Sequence, residues 1–195
     1  MSTKTKSDAP VKSEYFDKAY HAPITFWGDV RIPKELKDLV ETCHPKTSLE
    51  LGCGLGRFSA FMAGQGIKAT GVDFSSVAIE KARKRVANVE RKPTFMVGDV
   101  TNLKMIAGQF DVSFDVGCFH CLNEQEQQKY VSEVYRLLKP GATHLLWTMD
   151  HAPSDMLLNP NYVAKVFANR FQLAKTEPSR RRIISSHWYW LVRVQ

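Results

Sequence analysis

Apolar positions along the chain switch repeatedly between a period near two and a period near 3.6, which predicts strands alternating with amphipathic helices. Leu49 and Leu51 alternate, run into three glycines, and give way to the spacing Phe58, Phe61, Met62. That sequence of patterns reads as strand, tight turn and helix, the helix covering Arg57–Gln65 and stopping at Gly66. A helix over Pro33–Cys43 precedes this unit. After it come an apolar run at Ala69–Val72, a helix over Val77–Asn88 capped by Ser75, and a strand over Thr94–Gly98. A short turn or helix at Leu103–Ala107 leads to a fourth strand, Phe110–Asp115. The helix Glu124–Leu138 carries Tyr130, Val134, Leu137 and Leu138 on one side, and Lys139-Pro140-Gly141 ends it. A strand over Thr143–Met149 and a helix around Tyr162–Phe171 follow. Two last runs, Leu173–Glu177 and Ile183–Val194, are close enough in sequence to pair antiparallel. Such alternation implies an α/β fold with a mostly parallel sheet and helices on both faces.

The glycine-bearing turn, Glu50-Leu51-Gly52-Cys53-Gly54-Leu55-Gly56-Arg57, carries the first chemical signal. Glycine suits a turn that visits positive φ and a loop whose backbone a ligand approaches closely. The helix start behind it offers unpaired N–H groups to a negatively charged ligand group. The dinucleotide spacing G-x-G-x-x-G would place its third glycine at Arg57, whereas here the pattern is G-x-G-x-G. Acidic residues stand at three successive strand ends: Glu50 before the loop, Asp73 after the second strand and Asp99 after the third. Asp73 follows the first glycine by 73 − 52 = 21 residues, about where an acid gripping a ribose diol is expected in such folds.

With the glycine loop and this ladder of acids, the chain resembles the class I S-adenosylmethionine-dependent methyltransferases. The resemblance spans about residues 15 to 195 and implies a Rossmann-like three-layer sandwich. Its seven-stranded sheet would have the order 3-2-1-4-5-7-6, with the last strand antiparallel. It also implies S-adenosyl-L-methionine as cofactor. Gly52, Cys53, Gly54 and Gly56 would hold the methionine end, Asp73 the ribose hydroxyls and Asp99, with Val100, the adenine. Phe74 either lies against the adenine or packs inward, and Ser75 stands beside it. Trp27-Gly28 followed by Ile32-Pro33 is similar to the segment before the sheet in small methyltransferases of the thiopurine and tellurite-resistance kind, where it folds over the cofactor as a lid. An aromatic face such as Trp27 attracts a sulfonium cation by ~0.5–2 kcal/mol. Residues 13–45 are therefore expected to form a lid or helical segment on a single domain, 13–195, with residues 1–12 a disordered tail.

Composition narrows the picture modestly. At 195 residues, 44% hydrophobic and 24% charged, the chain has the make-up of one globular domain. No apolar run approaches the ~20 residues of a membrane helix, and no hydrophobic signal core opens the sequence, so a cytoplasmic location is expected. Cys43, Cys53, Cys118 and Cys121 are then expected as thiols. Only Cys118 and Cys121 form a C-x-x-C, which leaves no zinc set and no expected metal. The net charge of +7 permits an anionic partner. The basic residues Lys81–Arg85 read as a solvated helix face, and Arg180-Arg181-Arg182 as a solvated turn in preference to an RNA patch.

Ligands of open α/β sheets lie beyond the carboxyl ends of the strands, so Asp115–Asn123, leaving the fourth strand beside the glycine loop, is the expected site of reaction. His120 is the candidate general base, and a loop histidine bonded to backbone is the competing reading. Asp115 is placed to orient the cofactor's amine or the acceptor, and His151 is a weaker second candidate base; His21, His44, His144 and His187 give no signal. The Asn/Asp-Pro-Pro-Tyr/Phe signature of exocyclic-amine methylation is replaced by Asp115-Val116-Gly117-Cys118. A small-molecule acceptor is expected, thiols or related soft nucleophiles first, with oxygen and nitrogen open, and neither membrane nor nucleic acid as partner. The rival readings are a nicotinamide-dependent oxidoreductase, a binding protein that has lost turnover, and an RNA methyltransferase using Arg180–Arg182.

Overall fold

The computed structural model describes residues 13–21, 31–151, 153, 156–179 and 184–195. Its elements run α1 (Ser13–His21), α2 (Lys34–Cys43), β1 (Thr47–Leu51), α3 (Arg57–Gly64), β2 (Lys68–Asp73), α4 (Ser76–Arg85), β3 (Thr94–Val97), β4 (Phe110–Val116), a 3-10 turn (Phe119–Cys121), α5 (Glu124–Leu137), β5 (Leu138–Met149), α6 (Pro160–Phe167), β6 (Phe171–Pro178) and β7 (Ser186–Arg193). The strands form one sheet in the order β3-β2-β1-β4-β5-β7-β6. Four neighbouring pairs are parallel, and β7 alone is reversed against both β5 and β6. The expected order and its antiparallel strand are both present.

The period-two pattern divides the sheet into two faces. Leu49, Leu51, Leu146, Tyr189 and Leu191 pack with α5 and α6 residues Tyr130, Val134, Val163 and Phe167. Val112, Phe114, Leu145, Trp147 and Trp188 pack on the other side with Leu36 and Leu39 of α2 and Met62 of α3. Burying two helical layers against both faces of the sheet is the main source of stability here, at roughly 25 cal/mol per Å2 of apolar surface removed from water.

Leu103–Ala107, expected as a turn or helix, is a turn, and Arg136 binds the carbonyls of Leu103 and Ile106. Three boundaries differ from the sequence reading. α4 ends at Arg85. α6 begins at Pro160, because Asn159 accepts the Tyr162 N–H and caps it, and Phe171 already belongs to β6. Finally, Lys139-Pro140-Gly141 does end α5, but pairing starts at once, with Leu138 opposite Phe110 and the register shifting before Val112 meets Thr143. Among the described residues no helix is long and apolar enough to cross a membrane.

Candidate functional site

The carboxyl ends of β1, β2, β3 and β4 meet along one edge of the sheet, and the glycine turn lies in their midst. Gly52, Gly54 and Gly56 all have positive φ. All three also face close neighbours: a Cβ on Gly52 would fall 2.4 Å from the Cβ of Cys118, one on Gly54 2.8 Å from the Tyr20 hydroxyl, and one on Gly56 2.3 Å from the Phe95 ring. The turn is thus pinned between the exit of β4 and helix α1. Cys53, also buried, donates its N–H to the Val72 carbonyl and ties the turn to β2.

Two of the three acids act on this turn. Asp73, 4% exposed, accepts the Gly54 N–H at 2.8 Å and the Ser75 N–H at 2.9 Å, one on each carboxylate oxygen. Burial raises its pKa and the two N–H bonds oppose that rise. Glu50 is equally buried but faces the sheet–helix seam, where one oxygen takes both the N–H and the hydroxyl of Ser59, at 2.8 and 2.5 Å. Burial pushes its pKa up to about 8. All the hydrogen bonds described for Glu50 go to α3, so what it fixes is the helix start behind the turn. The third acid, Asp99, is exposed; one oxygen accepts the Thr101 N–H and hydroxyl, each at 2.8 Å, and the other has no recorded partner. Val100 beside it is buried.

Phe74 is 37% exposed, with its ring edge-on to Phe16 at 5.2 Å. Ser75 caps α4 through the Ala78 N–H and donates to Asp17 at 2.5 Å. Lys81 reaches the Tyr20 carbonyl. Helix α1 therefore lies against the start of α4 and over Gly54, in the region where the lid segment was expected. Trp27, the residue singled out for that lid, falls outside the described residues, as do Arg180–Arg182.

At the exit of β4 the structure assigns duties that sequence reasoning missed. Asp115 is fully buried and accepts from the Cys118 and Phe119 N–H groups at 2.7 and 2.9 Å and from the Tyr130 hydroxyl at 2.8 Å. Burial pushes its pKa to about 6 against those bonds. A carboxylate so placed fastens the 3-10 turn to α5. Behind it the polar chain continues: Tyr130 Oη lies 3.2 Å from His144 Nε2, and His144 Nδ1 lies 2.8 Å from Ser113 Oγ. Burial lowers the His144 pKa to about 3, so the ring is neutral. His120, 6% exposed, stands edge-on to Trp147, and its Nδ1 accepts the Met149 N–H at a long 3.4 Å. Burial also pushes the Cys121 thiol to about 12 and raises that of Cys118, which suits packing and opposes nucleophilic use. His151 is exposed and bridges Leu157. Among the described residues no group of three or more potential ligands gathers as for a metal ion.

Past β5, Asp150 meets His187 of β7, Nδ1 to Oδ1 at 2.6 Å, with the Ser185 hydroxyl on the other oxygen. The sequence carried no signal of this pair, because 37 residues separate its members and only the antiparallel return of β7 joins them.

Residues 49–141 match a family model described as a methyltransferase domain. The chain is similar to a norajmaline N-methyltransferase of Rauvolfia serpentina, 31% identical over 123 residues, covering 60% of this chain and 41% of that protein. It is also similar to a phosphoethanolamine N-methyltransferase of Triticum aestivum, 34% identical over 98 residues, covering 49% of this chain and 20% of that one. The chain thus spans less than half the length of these two relatives. Among solved structures, the N-methyltransferase NodS of Bradyrhizobium japonicum in complex with S-adenosyl-L-homocysteine superposes with a TM-score of 0.77 at 13% identity, over 94% of this chain and 98% of that one.

Proposed function

We propose that the chain is a class I S-adenosylmethionine-dependent methyltransferase that binds this cofactor and methylates a small acceptor through nitrogen, a reading supported by the match of residues 49–141 to the methyltransferase-domain model. The observation that carries this reading is the pairing of Asp73 and Asp99 at adjacent strand ends beside a three-glycine turn. The groups present fit an adenosyl cofactor. Asp73 spends one lone pair of each oxygen on loop amides, which leaves acceptor capacity for two ribose hydroxyls. Asp99 keeps a carboxylate oxygen with no recorded partner for an exocyclic amine. Phe74 offers an exposed ring between them. When bound, the cofactor supplies a methyl group on a good leaving group, a sulfonium.

The protein's own part is placement. Glu50 and Asp73 hold the turn, Asp115 holds the 3-10 turn carrying His120, and α1 covers Gly54. Aligning and desolvating an acceptor in this way lowers a barrier by as much as ~7–11 kcal/mol in favourable cases. His120 rides on the 3-10 turn, with its Nδ1 3.4 Å from the Met149 N–H. Nitrogen takes precedence over the thiol expected from the sequence because the similar proteins are described as N-methyltransferases, and because the thiol expectation leaned on the Trp27 segment. Incubation with methyl-labelled cofactor and a panel of small amines, N–H heterocycles and thiols tests the reading. Label on nitrogen acceptors is expected; transfer to thiols alone would refute the acceptor class.

A further inference from the structure

We infer that His187, oriented by Asp150, is the general base that takes the acceptor's proton, an assignment that rests on the methyltransferase reading above. Asp150 directly follows β5, and His187 is the second residue of the reversed strand β7, so both stand at the same carboxyl edge as the glycine turn and the His120 turn. Their closeness follows from register: His187 pairs with Thr148, two residues before Asp150. Main-chain bonds fix the carboxylate, since the Asp150 N–H donates to the Ser185 carbonyl and the Asp150 carbonyl accepts from Leu158 at 2.7 Å. Both carboxylate oxygens are engaged, Oδ1 by His187 Nδ1 at 2.6 Å and Oδ2 by the Ser185 hydroxyl.

A carboxylate on Nδ1 requires the proton there, so the neutral ring presents a lone pair on Nε2. Nε2 has no recorded partner among the described residues, and the side chain keeps 22% of its surface in contact with solvent. His187 thus carries its proton on Nδ1 and accepts at Nε2. The carboxylates of this edge have other duties: Asp73 and Asp99 are assigned to the adenosyl group, Asp115 holds two N–H groups and Tyr130, and Glu50 holds Ser59.

An N–H acceptor has to lose a proton on the way to a neutral N-methylated product, an ammonium one to expose its lone pair. The nitrogen lone pair forms the N–C bond, the C–S bond breaks with its electron pair passing to sulfur, and the N–H proton moves to His187 Nε2. The products are the N-methylated acceptor, S-adenosylhomocysteine and an imidazolium stabilised by Asp150, whose proton then leaves to solvent. General-base assistance of this kind contributes ~10²–10⁴-fold.

Long-range proton–nitrogen NMR on uniformly labelled protein reads the tautomer directly, with H187Q assigning the signals. The Nδ1–H form is expected for His187 in the wild type, with a shift towards the Nε2–H form in D150A. A wild-type His187 protonated on Nε2 would overturn the assignment. In parallel, ethanolamine, tryptamine and benzimidazole are offered as acceptors, and release of S-adenosylhomocysteine from the best of them is compared between wild type and H187Q. A loss of at least about a hundredfold is expected, with the calorimetric affinity for S-adenosylhomocysteine kept within about threefold. H187Q turnover close to that of the wild type would overturn the dyad alone. A wild type that is folded and fails to bind S-adenosylhomocysteine would instead overturn the methyltransferase reading and the base role with it.

Discussion

Glu50 shows how a motif residue works through its neighbour. Its carboxyl is sealed against Ser59, and burial holds its pKa at about 8, against 4.5 in an ordinary setting. The folded protein thus binds a proton that the unfolded chain releases between those values, and stability falls as pH rises through that window. Glu50→Gln mimics the protonated form and lacks this titration. Urea unfolding from pH 5 to pH 8 should therefore show the wild type losing stability relative to E50Q, by on the order of a few kcal/mol; parallel curves would show that Glu50 is ionised when folded. Tyr130 belongs to the same class of buried polar positions. Tyr130→Phe removes the hydroxyl shared by Asp115 and His144, and unfolding should become easier by about 1–3 kcal/mol because two buried groups lose a partner. Neither duty is visible in the sequence, where Glu50 and Asp115 look like ligand groups because they stand at strand ends. The neighbours Ser59, Cys118 and Tyr130 reveal that both carboxyl groups also hold the surrounding structure.

Among the elements, α1 and α5 carry the clearest consequences. α5 opens with a full capping box, Asn123 accepting the Glu126 N–H while the Glu126 side chain accepts the Asn123 N–H. Asn123→Ala should cost about 1 kcal/mol, measurable by thermal unfolding. Helix α1 is held to α4 by Asp17 on Ser75, Lys81 on the Tyr20 carbonyl and Phe16 against Phe74. Asp17→Ala should raise amide exchange in α1 by roughly tenfold, the equivalent of ~1.4 kcal/mol, while β1 and β4 exchange as before; uniform acceleration would mean that α1 is integral to the fold. Period and punctuation made most elements legible. β1, β2, β4 and the body of α5 follow from alternation, the glycines and Pro140. What stayed hidden depends on distant partners: the early start of β5 comes from pairing with Phe110, and the choice of turn over helix at Leu103–Ala107 goes with Arg136 of α5.

For the molecule as a whole, strand order matters more than any single motif. Placing β1 between β2 and β4 brings Asp73 and the His120 turn to the two flanks of one glycine loop, and reversing β7 brings His187 to the same edge. The sheet order was legible by resemblance, since alternating elements alone leave several orders open. Asp73 and Asp99 occupy adjacent strand ends as the acid ladder suggested, whereas Glu50 sits beneath the loop. The central claim is that this edge recognises an adenosyl group through Asp73 and Asp99. Isothermal titration of the wild type, Asp73→Asn and Asp99→Ala with S-adenosylhomocysteine tests it most directly. The account predicts one site per chain in the wild type and an affinity roughly tenfold or more weaker in each variant, the loss of a hydrogen bond to a charged group. A folded wild type that binds no S-adenosylhomocysteine, or variants that bind it as tightly as the wild type, would contradict it.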